Sequence, residues 1–362
     1  MNARIAAAAR QLAALALAAA IISLVLLALG ASPVAVASDL WQGAFGNWLA
    51  ATDTLVKATP LVFTGLAIAI AFQGALWNIG ADGQLIIGAM AAGALGTALG
   101  GWPHPLAIVA MLTAGAAGGA LWGGLAGWLR ARREVNEVIS TIMLNFVAAQ
   151  LLSWAVHGPL MEPSHALPQS VVIAPSAQLA FYFEPSRLNF GMTVALLFAV
   201  VCHLGLFHSA AGFELRALGR NRRASAFFGI PIRRLTVLAM ALSCALAGLG
   251  GAVQVSAITH RLFETMSPGW GYEAIAVALV ARLNPLAIVP AAMVFGALDN
   301  GSQAMQRADA VSPVLVNVIQ GMVIMILIAF DAMASTGMRT ALFGLAGDAG
   351  ASADAVAGAG DV

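Results

Sequence analysis

Residues 104–129 run for twenty-six positions without an Asp, Glu, Lys or Arg and then meet Arg130, Arg132 and Arg133. As a helix, such a run is about 39 Å long, more than the roughly 30 Å hydrocarbon core of a bilayer. Inside lipid, every backbone N–H and C=O must be satisfied within the chain, so a run of this kind is a transmembrane helix. Similar apolar runs recur at 12–30, 57–76, 83–100, 138–157, 190–208, 235–258, 271–283, 285–304 and 311–330. The run at 271–283 is short, and Asn284-Pro285 marks a tight turn after it. Charged residues make up 9% of the chain, against about 25% in a soluble domain. The expected fold is all-α, a polytopic helical bundle of about ten spans. One transmembrane domain is expected over 1–340, with an Ala/Gly-rich disordered tail over 341–362.

Charge placement orients this bundle. With ten spans and both termini in the cytoplasm, thirteen Lys/Arg fall inside and only Lys57, Arg187, Arg261 and Arg307 outside, as the positive-inside rule requires. Spans two to five and seven to ten then run in opposite senses, the geometry of an inverted repeat. Ala35-Val36-Ala37 imitates a signal-peptidase site, but the preceding apolar run is long for a signal, and an uncleaved helix is expected. Residues 158–188 carry Pro159, Pro163, Pro168, Pro175 and Pro185 and read as an irregular cap on the outer face. Gly115, Gly119, Gly123 and Gly127 recur every fourth residue, as do Gly88, Ala92, Gly96 and Gly100. Such small-residue faces let membrane helices pack closely.

Several function classes find no support. Cys202 and Cys244 both lie in apolar runs, so neither a disulfide framework nor a metal site is expected. The chain has no phosphate-binding glycine loop, no HExxH and no paired catalytic aspartates, so neither enzymatic activity nor a cofactor is expected. Ion-coupled transport normally needs a buried acid, and the chain offers only Asp82, Glu137 and Glu273, all near span ends. His157, His203, His208 and His260 lack ligand spacing. Most tryptophans sit near expected membrane interfaces, as anchoring belts do.

Two stretches stand out. The first is the loop 209–234, which holds six of the seventeen Lys/Arg: Arg216, Arg220, Arg222, Arg223, Arg233 and Arg234. Its apolar and basic residues recur at helical spacing. It is either a topogenic loop or an amphipathic docking helix. The second is Gly74 to Gly88, where Asn78, Asp82 and Gln84 lie among apolar residues, with Gly80 and Gly83 interrupting a helix. It reads either as a tight turn with Asn78 or Asp82 as cap, or as a broken helix presenting polar groups to a solute. Asn145 lies about two turns into its span and needs a partner or a cavity; it is the strongest single candidate to line a pathway. Glu137 reads as a cap, and Glu273 as a helix N-terminal acid favoured by the dipole or as a pathway group.

Four motifs together carry a resemblance. Asn78-Ile79-Gly80-Ala81-Asp82-Gly83-Gln84 resembles the Asn-Ile-Gly-Ala-Glu-Gly-Gln signature of nucleoside-type ABC importer permeases, with Asp in place of Glu. The segment Val135 to Asn145 resembles that family's Asn-Glu-Val-Ile-x-Thr-x-Met-Leu-Asn. Gly271-Tyr272-Glu273-Ala274-Ile275-Ala276-Val277-Ala278-Leu279, followed by Asn284-Pro285, is similar to its Gly-(Tyr/Phe)-(Asp/Glu)-x-Ile-Ala-Val-Ala-Leu…Asn-Pro. The run Gly212, Leu215-Arg216-Ala217, Gly219, Asn221, Ala224, Gly229-Ile230 resembles the coupling loop, with Ser225 where a second Ala is usual.

The resemblance covers about residues 55–330. It implies a permease of the simple-sugar, nucleoside and branched-chain amino acid class in the bacterial cytoplasmic membrane, with nucleosides favoured and sugars or amino acids as alternatives. Its implied partners are a separate ATPase subunit, a second permease in a heterodimer, an extracytoplasmic solute-binding protein and the lipid bilayer; no nucleic acid is implied. Pathway candidates are Asn78, Asp82, Gln84, Asn145 and Glu273. ATPase-coupling candidates are Glu214, Arg216, Arg220, Asn221 and Arg223.

Overall fold

The computed structural model describes residues 32–309 and a few isolated positions on either side. The expected spans at 12–30 and 311–330 and the tail at 341–362 lie outside the described residues. Asp39–Arg307 form one compact unit, and residues 1–38 with 308–362 make up a second. The described elements are α1 (Pro33–Phe45), α2 (Trp48–Gln73), α3 (Ala81–Ala98), α4 (His104–Arg133), α5 (Glu137–His157), α6 (Phe190–His208), α7 (Ala210–Arg220), α8 (Arg222–Phe227), α9 (Ile232–Gln254), α10 (Trp270–Val280) and α11 (Pro285–Asp309). A π-helical turn, Val255–Thr259, extends α9. Among the described residues there is no strand, only isolated bridges. Among the described residues, five helices are long and apolar enough to cross a membrane: α2, α4, α5, α6 and α9 with its extension.

The helix ends follow local chemistry. α2 begins at Trp48, well before the apolar run at 57, because Asn47 caps it by accepting the Ala50 N–H at 2.8 Å. Lys57 interrupts the hydropathy but not the helix, since it pairs with Asp299 of α11 at 2.8 Å. α2 stops in a Schellman turn: the Leu76 N–H reaches Ala71 C=O, the Ala75 N–H reaches Phe72 C=O, and Ala75 takes the left-handed conformation at φ 53°. α5 is capped by Asn136, which accepts the Val138 N–H at 2.9 Å. Glu137 is therefore not the cap. It is buried and paired with Arg130 Nε at 3.0 Å.

α9 occupies the centre, packed on α2, α3 and α4. The expected glycine faces form this contact. A Cβ on Gly88 would fall 2.2 Å from Gly248 Cα, one on Gly119 2.3 Å from the Cys244 carbonyl, and one on Gly251 2.1 Å from the Leu85 carbonyl. Each lies well inside van der Waals distance, so the three backbones touch directly. Gly100, beyond the end of α3, touches nothing within 4 Å and has no part in the seam.

The proline-rich segment after α5 is an irregular cap, as expected. Its backbone is tied to the last turns of α3 and to the chain after α9: the Ala174 N–H donates to Gly96 C=O, Ile173 to His260 and Ser170 to Leu262. This cap marks one end of the bundle. Arg130–Arg133 and α7–α8 mark the other, arginine-bearing end.

Candidate functional site: two interrupted helices above a basic end

Two helices of the bundle are incomplete, and their free ends meet. After α2 closes at Gln73, residues 74–80 run without helical structure before α3 begins. Three neighbours measure the depth of this break. Asn145 lies eight residues into α5, Ser243 eleven residues into α9, and Gly123 ten residues before the end of α4. At 1.5 Å per residue, these positions are about 12, 16 and 15 Å inside the arginine-bearing ends of their helices. The second interruption follows α9. Leu262 packs on Gly93 near the cap, whereas Ser267 bonds to Asp82, eleven residues earlier on α3. The chain thus descends about 16 Å between Leu262 and Ser267, nearly full extension. Only then does α10 start. The short apolar run at 271–283 is short because only its lower half is helical.

The ends of α3 and α10 are held by a closed ring of hydrogen bonds. Asn145 Oδ1 accepts the Gly83 N–H at 2.9 Å, capping the first turn of α3 from another helix. Asp82, next to Gly83, accepts the Gly271 N–H at 3.1 Å, so it caps α10 rather than its own helix. The Ser267 hydroxyl donates to the same Asp82 oxygen at 2.6 Å, and its oxygen accepts the Gly269 and Trp270 N–H groups. Tyr272, next to Gly271, returns to Asn145: the asparagine Nδ2 donates to the Tyr272 hydroxyl at 3.0 Å and to Ile79 C=O at 2.9 Å. Gly271 is required for this contact, since a Cβ there would lie 2.1 Å from Asp82 N. An anionic carboxylate suits the positive end of α10, and α3 likewise directs its N-terminal amides into the ring.

Behind the ring, the break is fixed by a second, fully buried network. Asn78 and Gln84 pair amide to amide at 2.8 and 3.0 Å. Asn78 also donates to Ser243 Oγ at 3.0 Å and accepts the Gly80 N–H at 2.9 Å. Ser243 donates in turn to Ala67 C=O at 2.6 Å. Thr141 accepts the Ile79 N–H at 3.3 Å. Every hydrogen-bonding position of Asn78 is occupied, and these bonds satisfy the backbone of a non-helical segment at a depth where water is scarce.

The structure therefore divides the sequence candidates. Asn78, Gln84 and Asn145 are buried at 0, 2 and 5% exposure. Asp82, on the ring, and Glu273, in the first turn of α10, are half-buried. Residues that reasoning from sequence missed are Ser243 and Ser267, single hydroxyls with no motif to mark them, and Thr141, which lay within a recognised motif but was not singled out. Tyr272 lay within a recognised segment, but nothing in the pattern distinguished it.

The basic loop is two helices. Ser209 caps α7, accepting the Gly212 N–H at 3.0 Å. Asn221 caps α8, accepting the Ala224 N–H at 3.0 Å. α7 buries Gly212, Leu215 and Leu218 and leaves Arg220 exposed. Glu214 and Arg216 are half-buried, Asn221 and Arg223 exposed. The Arg216 guanidinium lies 4.9 Å from the Phe207 ring centre. Phe227 and Phe228 are 88 and 80% exposed. α7 rests on the foot of the first interrupted helix: Leu215 fills the space a Cβ on Gly74 would take, and Gly219 lies against the Gln73 carbonyl. Beside this contact is an open cavity of about 590 Å³, lined by Gln73, Arg216, Arg220, Arg282 and Asn284 among others.

Comparison with known proteins places this architecture. The chain is 36% identical over 309 residues to the guanosine ABC transporter permease protein NupP of Bacillus subtilis, covering 84% of this chain and 88% of that one. It is 31% identical to the glucose ABC transporter permease protein TsgB13 of Haloferax volcanii, over 84% and 83% of the two chains. It is 30% identical to the nucleoside ABC transporter permease protein NupB of Lactococcus lactis, over 83% and 85%. No solved structure matches it. The family model described as the permease component of branched-chain amino acid transport systems matches residues 50–328, from the first turn of α2 past the end of α11, and the chain belongs to that family of membrane permeases.

Proposed function

We propose that this permease carries nucleosides into the cell, powered by a separate ATPase subunit. As a member of a family of ABC importer permeases, it is a transport protein and not an enzyme. The observation that carries the substrate reading is the 36% identity to a guanosine permease over nearly the whole chain. The interrupted helices support it: the groups gathered there are helix-end amides, amide side chains and hydroxyls, with Asp82 occupied as a cap. Such a site suits a neutral solute rich in hydroxyls and ring nitrogens, held weakly enough to leave. Asn78, Gln84 and Asn145 shape the break, and Asp82 and Glu273 border the path. A simple sugar is the second reading, favoured by the similarity to the glucose permease.

In this reading the arginine-bearing end is cytoplasmic, with both termini on the same side and ten spans in all. α2 with α3 and α9 with α10 form two helix–break–helix units of opposite sense, the core of an inverted repeat. α7 and α8 dock on the ATPase through Arg220, Arg223 and the exposed phenylalanines, with Glu214, Arg216 and Asn221 setting their pose. α7 would pass the ATPase's movement to Gln73 and Gly74. The exposed apolar face of α5, with Ile139, Met143 and Phe146, meets a second permease, and a heterodimer is favoured. An extracytoplasmic binding protein delivers the solute to the cap end.

The test is uptake of radiolabelled guanosine, adenosine, uridine, ribose and glucose by cells with and without the gene. Loss of nucleoside uptake, with competition among nucleosides but not by ribose, supports the proposal. Loss of sugar uptake alone transfers the assignment to the second reading.

A further inference from the structure

Asn145 was the residue the sequence marked for the pathway, yet both protons of its amide are already committed. Oδ1 accepts from Gly83, and the two protons of Nδ2 go to Ile79 C=O and to the Tyr272 oxygen. Tyr272 is therefore the acceptor in its bond with Asn145. A phenol hydroxyl has one proton to give, and among the described residues no group accepts it. Tyr272 is also 44% exposed, where Asn145 is 5% exposed. The ring thus presents one unsatisfied donor on the surface of the bundle, about 12 Å in from the arginine-bearing end by the α5 ruler.

At that depth a hydroxyl facing hydrocarbon without an acceptor is costly. Irregular backbone there is tolerated only where protein buries it or it lines a watery cavity. Tyr272 adjoins both interruptions at once, one residue from Gly271 and bonded to the partner of Ile79. Accepting a bond from Asn145 also polarises its O–H and makes it a better donor. The N-termini of α3 and α10 converge on the same place and favour a partner rich in acceptors.

We infer that Tyr272 lines the water-filled path and donates its hydroxyl proton to an acceptor on the passing solute, with Asn145 as the positioning residue that orients it. This inference rests on the nucleoside reading for the identity of the solute, but not for the placement of Tyr272 in the path. Two measurements on the assembled transporter separate the two. In the first, Tyr272→Phe should raise the KM for guanosine uptake about three- to tenfold, the value of one hydrogen bond, with Vmax and membrane abundance near wild type. In the second, Tyr272→Cys is treated with a water-soluble methanethiosulfonate, and guanosine is added as protectant. Cys202 and Cys244 are buried and give little background, and Leu121→Cys, 78% exposed on the outer face of α4, serves as the lipid-facing control.

Labelling of position 272 but not 121, slowed by guanosine, together with the KM effect, supports the inference. An unlabelled cysteine at 272, or unchanged guanosine KM in Tyr272→Phe, overturns it. If the wild-type transporter carries no nucleoside, the substrate reading fails on its own. Labelling of position 272, slowed by whichever solute is taken up, then still decides whether Tyr272 lines the path.

Discussion

Replacing Asn145 by alanine separates a clamp from a passive wall. The side chain makes three hydrogen bonds, two of them to backbone groups of the first break: the N–H of Gly83 and the C=O of Ile79. Gly83 is buried, and a Cβ placed there would come within 2.8 Å of Asn145 itself, so no other protein group stands ready to replace the amide. A buried backbone group left unpaired costs about 1–3 kcal/mol. Losing the partner of Gly83 therefore costs about 1–3 kcal/mol, with a smaller addition from the half-buried Ile79 carbonyl, out of the roughly 5–15 kcal/mol that holds a typical domain together. Asn145→Asp keeps the acceptor for Gly83 but turns the donor to Ile79 into a second acceptor and buries a charge, so it should be no milder. The assay is denaturant unfolding of the detergent-purified protein, followed by tryptophan fluorescence, with uptake measured in parallel. Both variants should unfold at lower denaturant and transport poorly. An Asn145→Ala protein with a wild-type midpoint but impaired uptake would refute the clamp and return Asn145 to the pathway wall.

Gly248→Ala places a methyl group 2.4 Å from the Gly115 carbonyl, so α4 and α9 must separate, at roughly 1–3 kcal/mol; thermal unfolding should occur earlier and membrane abundance fall. Asp82→Ala removes the cap of α10 and should cost about 0.5–2 kcal/mol, whereas Asp82→Asn keeps an acceptor for Gly271 and should lose less in the same unfolding assay. Reversing Arg216 and Arg220 to Glu should abolish ATP-driven uptake while the purified permease unfolds normally; wild-type uptake by that variant would remove α7 from the coupling role. On the cap, hydrogen bonds from Ser164 and then Gln169, with the nearby Arg261, hold the Glu162 carboxyl below its usual range. A lowered folded pKa means that its stabilising contribution is present above pH ~4.5 and is lost as pH falls through the folded value. Amide protection in residues 162–173, taken relative to the intrinsic exchange rate at each pH, should therefore fall at acid pH, and Glu162→Gln should remove that acid response.

Much of this architecture is legible in the sequence, because bilayer chemistry leaves few options. The ends of α5 and α6 fall within a residue of the apolar runs that announce them, since charge and hydropathy change together there. The glycine repeat on α4 identifies its packing face for the same reason: only a residue without a Cβ lets backbones touch. Where the two signals part, the reading fails. Lys57 ends the apolar run but not α2, because Asp299, more than two hundred residues later, neutralises it. Glu137 has the local pattern of a cap, yet Asn136 takes that part and Glu137 pairs with Arg130. The interruption after α2 is visible in Gly80 and Gly83, but its closing partner is not. The extended stretch before α10 reads only as a short span. Polar residues announce that they need partners; sequence does not say which ones they find.

The two interruptions explain each other. A half-helix with a free N-terminus inside a bilayer leaves amide groups unsatisfied, and its own approach reaches only some of them, as Ser267 does for Gly269 and Trp270. Here each half-helix is capped from outside: α3 by Asn145 of α5, and α10 by Asp82 of α3. The two breaks are therefore coupled, and Tyr272 completes the circuit by returning to Asn145. The circuit is built of polar bonds within a glycine-packed bundle. It also stands directly above the Gln73–Gly74 turn on which α7 rests. If α7 takes the ATPase's movement as proposed, seven non-helical residues, and not the glycine seam, link it to the ring. The seam could then stay rigid while the ring rearranges, with the polar break and the basic end as two ends of one lever.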